Sequence, residues 1–206
     1  MQIIENKIAS LAGRLPNILG HEEFSMSAVL LPLVYYNDEL CVLFEKRSAE
    51  LEVQPGEICF PGGTIEKSDR GEENAAIREG CEELGVKTGD IEIIAPLDIF
   101  VSPFNMIVYP FLARIKDYRQ IRINKSEVDY IFFVPVQHLV NANPSQAKLE
   151  LKPVFPESYP YDLVPNGRDY KYREAKYPQY FYLWKNEVIW GLTARILRHF
   201  IDLVAQ

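Results

Sequence analysis

A run of carboxylates on one helical face constrains this chain more than any other feature. Between Glu72 and Leu84 the sequence reads EENAAIREGCEEL. At about 100° per residue, Glu79, Glu82 and Glu83 fall within roughly a 100° arc, and Glu72 projects near the same arc one to two turns earlier. Ile77, Cys81 and Leu84 lie opposite, with Gly80 at their edge. The spacing predicts a helix over 72–84, stopped by Gly85, that buries its apolar side and turns its acidic side to a cleft. Folding alone gives little reason for such a face. Glu79 repels Glu82 at i,i+3 and Glu83 at i,i+4, each at a cost of roughly 0.2–0.5 kcal/mol unless a cation intervenes. A solvated surface would explain a lone Glu-x-x-Glu-Glu. Here a Gly62-Gly63 turn lies upstream, and Arg78 is placed to pair with Glu82 at i,i+4, which favours a site. Hard cations such as Mg²⁺ take carboxylate oxygens and waters, and commonly share them with substrate phosphates.

Loop, helix and arginine together resemble the Nudix box: Gly, five residues, Glu, seven residues, then Arg-Glu-apolar-x-Glu-Glu-x-Gly-apolar. Gly63 is followed after five residues by Asp69 in place of Glu, eight residues precede Arg78, and Gly80 stands where an apolar residue is usual. The acidic residue at 69 and the longer spacer look like the branch that hydrolyses coenzyme A. That branch is also similar in Lys46-Arg47-Ser48, in Gly56 with Phe60-Pro61-Gly62-Gly63, and in Ile189–Leu197, which resembles an Ile-Trp-Gly-x-Thr-Ala-apolar run. The branch's Leu-Arg-x-His-x-Gly-Gln becomes Leu51-Glu52-Val53-Gln54-Pro55-Gly56-Glu57, without its basic and imidazole groups. The resemblance covers about residues 27–140 and 180–204.

The resemblance implies an α/β/α Nudix sandwich with a mixed sheet, one domain over 1–206. It implies that Glu79, Glu82 and Glu83 ligate Mg²⁺ or Mn²⁺, one of them doubling as general base, with the Gly63 carbonyl a further ligand. Arg78 would orient the carboxylates, and Asp69 would assist metal or water. The reaction implied is hydrolysis of a phosphoanhydride in a nucleoside-diphosphate-linked substrate, with coenzyme A split into 3′,5′-ADP and 4′-phosphopantetheine as leading case. Lys46 and Arg47 are the candidates for the 3′-phosphate; the plainer reading makes them a charged strand end in water. ADP-ribose, NADH or a nucleoside triphosphate would suit the same chemistry. A non-catalytic Nudix-like sensor is the rival class, but such modules usually lose box carboxylates that this chain keeps. No G-x-S-x-G elbow occurs, which argues against a serine hydrolase.

With 206 residues and 48% apolar content the chain suits one domain with decorations. A net charge of −7 and a pI near 5.1 argue against nucleic acid. A small anionic nucleotide is still acceptable if bound cations reverse the local field. No run of 18 or more apolar residues and no signal-like segment appear, so a soluble cytoplasmic protein without membrane contact is expected. Cys41, Cys59 and Cys81 form no C-x-x-C pair and read as buried reduced thiols.

Along the chain, Ile4, Ile8 and Leu11 predict a packed amphipathic helix over 3–13. Strands are expected at Ser27–Tyr36, with Pro32 marking an edge or bulge, and at Leu40–Lys46. Further strands are expected at Ile91–Val101, Ile107–Ile115 and Tyr130–Val134, with a short helix at Pro135–Asn141. Residues 143–178 carry six prolines and five tyrosines, too aromatic for a linker. They read as an ordered insertion over the cleft or in a subunit contact, which would make a homodimer. A hairpin at Tyr180–Ile189 and a helix with Leu192, Ile196, Phe200 and Leu203 on one face complete the reading.

Overall fold

The computed structural model describes residues 2–205. Its centre is a mixed sheet around β1 (Ser25–Tyr36) and β7 (Met106–Ile115), which pair in parallel from Ser25↔Met106 to Leu33↔Arg114. Their neighbours are β2 (Glu39–Arg47), β3 (Ile58–Cys59), β4 (Gly62–Thr64), β5 (Ile91–Pro96), β6 (Phe100–Ser102) and β8 (Val128–Pro135). Strand β1 is apolar at successive positions because both its faces are covered. Leu30 and Val34 join Leu43, Ala75, Ala76 and Leu84 beneath α2 (Glu72–Leu84). Leu31 and Leu33 join Phe44, Ile196, Leu197 and Phe200 beneath α4 (Gly191–Val204). The result is the expected α/β/α sandwich. The bounds of α2 are those read from the sequence.

One end of β1 pairs with β2 (Leu33–Tyr36) and the other with β4 (Ser27–Val29). The two partners diverge, and β3 sits against the far end of β2 through Glu45↔Cys59 and Lys46↔Ile58. This splaying creates the recess that α2 overlies. It also corrects the expectation for Pro32, which lies inside a central strand opposite Ala113 of β7. Leu30 donates its N–H toward Pro61 on the β4 side, and Pro32 has the same parity. Its missing N–H therefore falls where β1 passes from one partner to the other and no ladder bond is needed.

Three other expectations change. The segment 91–101 is two strands: Ile91–Pro96 pairs with β7 through a bulge between Ile93 and Ala95, and Phe100–Ser102 pairs with it further along. The N-terminal helix, α1 (Gln2–Ala9), is shorter than expected and does not pack; Ile3, Ile4, Ile8 and Leu11 are 59–75% exposed. Both sheet faces are already taken by α2 and α4. Cys41 is buried as expected, but Cys59 and Cys81 are only partly so, and all three are free thiols.

The short helix α3 (Val136–Asn141) follows β8. The insertion is ordered: β9 (Ser145–Leu151) pairs antiparallel with β10 (Ala175–Trp184), which continues into a hairpin with β11 (Glu187–Ile189). Between β9 and β10 the chain is held by Phe155 against Tyr159 and Tyr172, with ring centroids 4.6 and 4.4 Å apart, and by a Tyr172–Tyr159 hydroxyl bond of 2.9 Å. Among the described residues no helix is long and apolar enough to cross a membrane.

Candidate active site

Helix α2 lies so close to β1 that a Cβ on Gly80 would sit 2.5 Å from Leu30 Cδ1. This explains glycine where the family pattern has an apolar residue. The approach also rotates the acidic face partly inward. The expectation that the acidic side faces an open cleft needs correction: Glu83 is only 4% exposed and Glu79 is half-buried, while Glu72 and Glu82, the latter with its side chain 55% exposed, are open to solvent.

Each carboxylate has a different setting. Glu83 Oε2 accepts from the Gly62 N–H at 2.8 Å. Glu79 Oε1 accepts from Arg78 Nη1 at 2.9 Å, and its carboxyl packs onto Gly63 so tightly that a Cβ there would lie 2.5 Å from the carboxyl carbon. Gly63 pairs with Ala28 in the β4 ladder, which fixes this cradle. At the C-terminal end of α2, Gly85 turns the chain at φ +62, and Arg122 and Asn124 donate their N–H groups to the carbonyls of Leu84 and Glu83, both at 2.9 Å.

Arg78 pairs with Glu82 at i,i+4 as its spacing predicts. That contact is the longest at 3.5 Å; the guanidinium also forks onto Asp69 with two bonds of 3.0 Å and donates to the Thr64 carbonyl at 3.2 Å. Asp69 also accepts from the Glu66 N–H at 2.8 Å. Its carboxyl is held below the ordinary range by the Arg78 bonds first and this N–H second. Asp69 thus ties the loop to the helix through Arg78.

Two acidic residues escaped the sequence reading. Glu45 on β2 is 1% exposed; one oxygen accepts from the Cys59 thiol at 3.2 Å and the other, Oε2, has no hydrogen-bond partner among the described residues. The period-two pattern could have found it, since Cys41, Leu43 and Glu45 alternate onto the α2 side. Glu127, in the loop before β8, accepts the Ser48 N–H on its backbone carbonyl at 2.8 Å, and its charge acts on Glu45, Glu79 and Glu83. Nothing in its local sequence marks it.

Electrostatics binds these groups into one cluster. Burial pushes the Glu83 carboxyl far above the ordinary range, and repulsion from Glu45, Glu79 and Glu127 adds to this. Glu45 is pushed up by burial, against lowering by Cys59 and Arg47. Glu79 is raised by burial and only partly held down by Arg78. Among the described residues no group of three or more His, Cys, Asp or Glu side chains stands ready-made as a metal cage. The carboxylates are turned to protein partners instead: Glu79 to Arg78, Glu83 to Gly62 and Glu45 to Cys59. The donor set nevertheless fits a hard divalent cation, being all oxygen, acidic, and provided with an orphaned buried oxygen at Glu45.

The basic pair ahead of the box is separated. Lys46 Nζ bonds Tyr130 Oη at 3.2 Å and lies 3.7 Å from Glu187, which Tyr130 also bonds. These contacts tie the β10–β11 hairpin to the central sheet, so Lys46 is engaged in structure and away from Arg47. Arg47 Nε and Nη2 both donate to the Val53 carbonyl at 3.3 Å, and the side chain lines a cavity of about 240 Å³.

A NUDIX domain model matches residues 26–158. A mouse protein described as peroxisomal coenzyme A diphosphatase NUDT7 is 31% identical over 122 residues, which cover 59% of this chain and about half (52%) of that protein's length. Nudix hydrolase 3 of Caenorhabditis elegans is 28% identical over 98% of this chain and 83% of its own length. An uncharacterized Nudix hydrolase NudL of Enterobacter sp. (strain 638) is 27% identical over 84% of this chain and 79% of its own length. The family model thus spans the central sheet, the box and the acidic cluster between α2 and β2, with α4 beyond it, and the chain belongs to the Nudix hydrolase family.

Proposed function

We propose that this Nudix pyrophosphatase hydrolyses the phosphoanhydride of a nucleoside-diphosphate-linked substrate with the help of Mg²⁺ or Mn²⁺, and that its leading substrate is coenzyme A. The observation that carries the reading is the buried Glu45–Glu83 pair beside Glu79, repelling one another without an ion-pairing cation of their own. Such a cluster is poorly stabilised in the bare protein and suited to a cation. Glu79, Glu82 and Glu83 would hold the ion, with the Gly63 carbonyl beside Glu79 as a further ligand. When bound, the ion lowers the pKa of a water and neutralises charge on the phosphate oxygens. One of the three glutamates would take the proton from the water that attacks phosphorus. Arg78, anchored by Asp69 and Thr64, fixes the orientation of Glu79. Glu45 and Glu127 add negative charge that strengthens cation binding.

Coenzyme A is favoured by the Lys46-Arg47-Ser48 run, by Arg47 lining the adjoining cavity, and by the likeness to the mouse coenzyme A diphosphatase. A cytoplasmic location and a small nucleotide partner belong to the same proposal. The test is a metal-dependent screen of coenzyme A, ADP-ribose, NADH and deoxynucleoside triphosphates, with products resolved by ion-exchange chromatography. Coenzyme A should be cleaved with the highest kcat/KM, giving 3′,5′-ADP. Preference for another substrate removes coenzyme A, and tight nucleotide binding without turnover of any substrate makes the module a sensor.

A further inference from the structure

Beside the acidic cluster the 240 Å³ cavity is walled by two parts of the chain distant in sequence. One wall is β3 and the loop after β2, bringing Arg47, Gln54 and Cys59; the other is the insertion's strand β10, bringing Tyr177 and Gln179. Strand alternation puts residues 177 and 179 on the same side. Phe104, from the turn after β6, meets Tyr177 edge-on at 6.0 Å, and Trp190 closes the far end. The Tyr177 ring is held from α4: the Arg195 guanidinium lies 4.8 Å from its centroid, and Arg195 Nη1 donates to the Pro178 carbonyl at 3.2 Å. Cys59 lines the cavity and donates to Glu45, so the cavity and the carboxylate cluster share β3 as a wall.

We propose that this cavity is the subsite for the nucleobase of the substrate, with the ring stacked on Tyr177, Phe104 or Trp190 and its polar edge read by Gln54 and Gln179. The assignment rests on the pyrophosphatase reading above. Several rings around one space suit a flat ligand, since every base has a π-face. The side-chain amides of Gln54 and Gln179 have no hydrogen-bond partner among the described residues, and each offers both a donor and an acceptor. A base edge presents both. Arg47 is the one lysine or arginine of the lining, enough for a single phosphate attached beside the base but not for a site that holds phosphates alone. A pantetheine arm brings amides of its own but no flat ring to stack on Tyr177, Phe104 or Trp190. The inserted strand therefore supplies specificity to chemistry housed in the family's common frame.

The protein has two tryptophans, so a Trp184→Phe background leaves Trp190 as the only reporter. Adenosine monophosphate titrated into this protein with EDTA present should quench the fluorescence saturably, whereas 4′-phosphopantetheine should not. Phe104→Ala, at a side chain 60% exposed, and Gln179→Ala should each weaken the quench by about tenfold and raise KM for coenzyme A more than they lower kcat. Quenching by phosphopantetheine instead, absence of quenching by adenosine monophosphate, or unchanged affinity and KM in both variants overturns the subsite. Metal-free binding needs no turnover. A normal quench in a protein that hydrolyses nothing supports the base subsite and defeats the pyrophosphatase reading; hydrolysis with unchanged KM in both variants does the reverse.

Discussion

Replacing Glu83 by Gln should make the metal-free protein more stable at alkaline pH while abolishing most of its activity. Gln keeps the shape and an oxygen for the Gly62 N–H, and removes one charge from a side chain only 4% exposed. Burial and repulsion by Glu45 raise the folded-state pKa of Glu83, so the folded protein holds the proton more tightly than the unfolded chain does. Stability from this group is complete below the unfolded pKa of about 4.3 and is lost as pH rises toward the higher folded value. One such group gives a limiting slope of about 1.4 kcal/mol per pH unit. Across pH 5.5 to 7.5 that is at most about 3 kcal/mol, or roughly 6–12 °C in Tm for a chain of this size. Glu45 shares the repulsion, so the wild-type slope belongs to the pair. The assay is calorimetry in EDTA from pH 5 to 8 on both proteins, followed by Mg²⁺ addition and turnover. The difference between the two curves cancels the remaining carboxylates. Parallel Tm–pH curves, or a variant less stable than wild type at pH 8, would refute a strained carboxylate at 83.

Glu82→Gln should cut kcat by roughly 10²–10⁴-fold with Tm in EDTA nearly unchanged, because the side chain is largely solvent-exposed; near-normal turnover at saturating Mg²⁺ would remove it from the machinery. Gly63→Ala inserts a methyl 2.5 Å from the Glu79 carboxyl carbon, so calorimetric Mg²⁺ affinity should fall by about tenfold or more. Unaltered affinity would show that Glu79 binds the ion in another orientation. Arg47→Ala should lower kcat/KM for coenzyme A by about tenfold, equivalent to roughly 1.4 kcal/mol, and much less for dephospho-coenzyme A; Lys46→Met should change neither, because Lys46 is engaged by Tyr130 and Glu187. Equal losses on both substrates would assign Arg47 to the fold or to the pyrophosphate.

The elements most legible in the sequence were those whose pattern is local. Helix α2 runs between the bounds set by its periodicity and Gly85, and β1 and β2 are at most two residues longer than read. What escaped was set by pairing between distant segments. Glu45 looks like the start of a charged strand end, yet β3 and β8 flank it through Cys59 and Ile131 and shut out water. Pro32 looks like an edge because its exemption depends on a change of strand partner, which no local pattern records. Helix periodicity correctly grouped Glu79, Glu82 and Glu83, but the degree to which Glu83 turns inward follows from the Gly80–Leu30 contact, a matter of distance between elements.

The capped end of α2 has a further consequence, in the direction of its backbone field. Peptide dipoles leave the C-terminal turn of a helix negative, and acidic side chains there are unfavourable by about 0.3–1 kcal/mol each. Glu79, Glu82 and Glu83 crowd into that half, and no basic residue occupies the last turn. The helix is electrically inverted relative to what its own stability favours. The N–H groups of Arg122 and Asn124 screen the exposed carbonyls, and they belong to the loop that also carries Glu127. A cation arriving at these carboxylates would meet side-chain charge and backbone field acting in the same direction. Loosening the 122–127 loop, even without touching a carboxylate, should therefore weaken cation binding through the displacement of Glu127, a loss that the unscreened carbonyls of the helix end offset only in part.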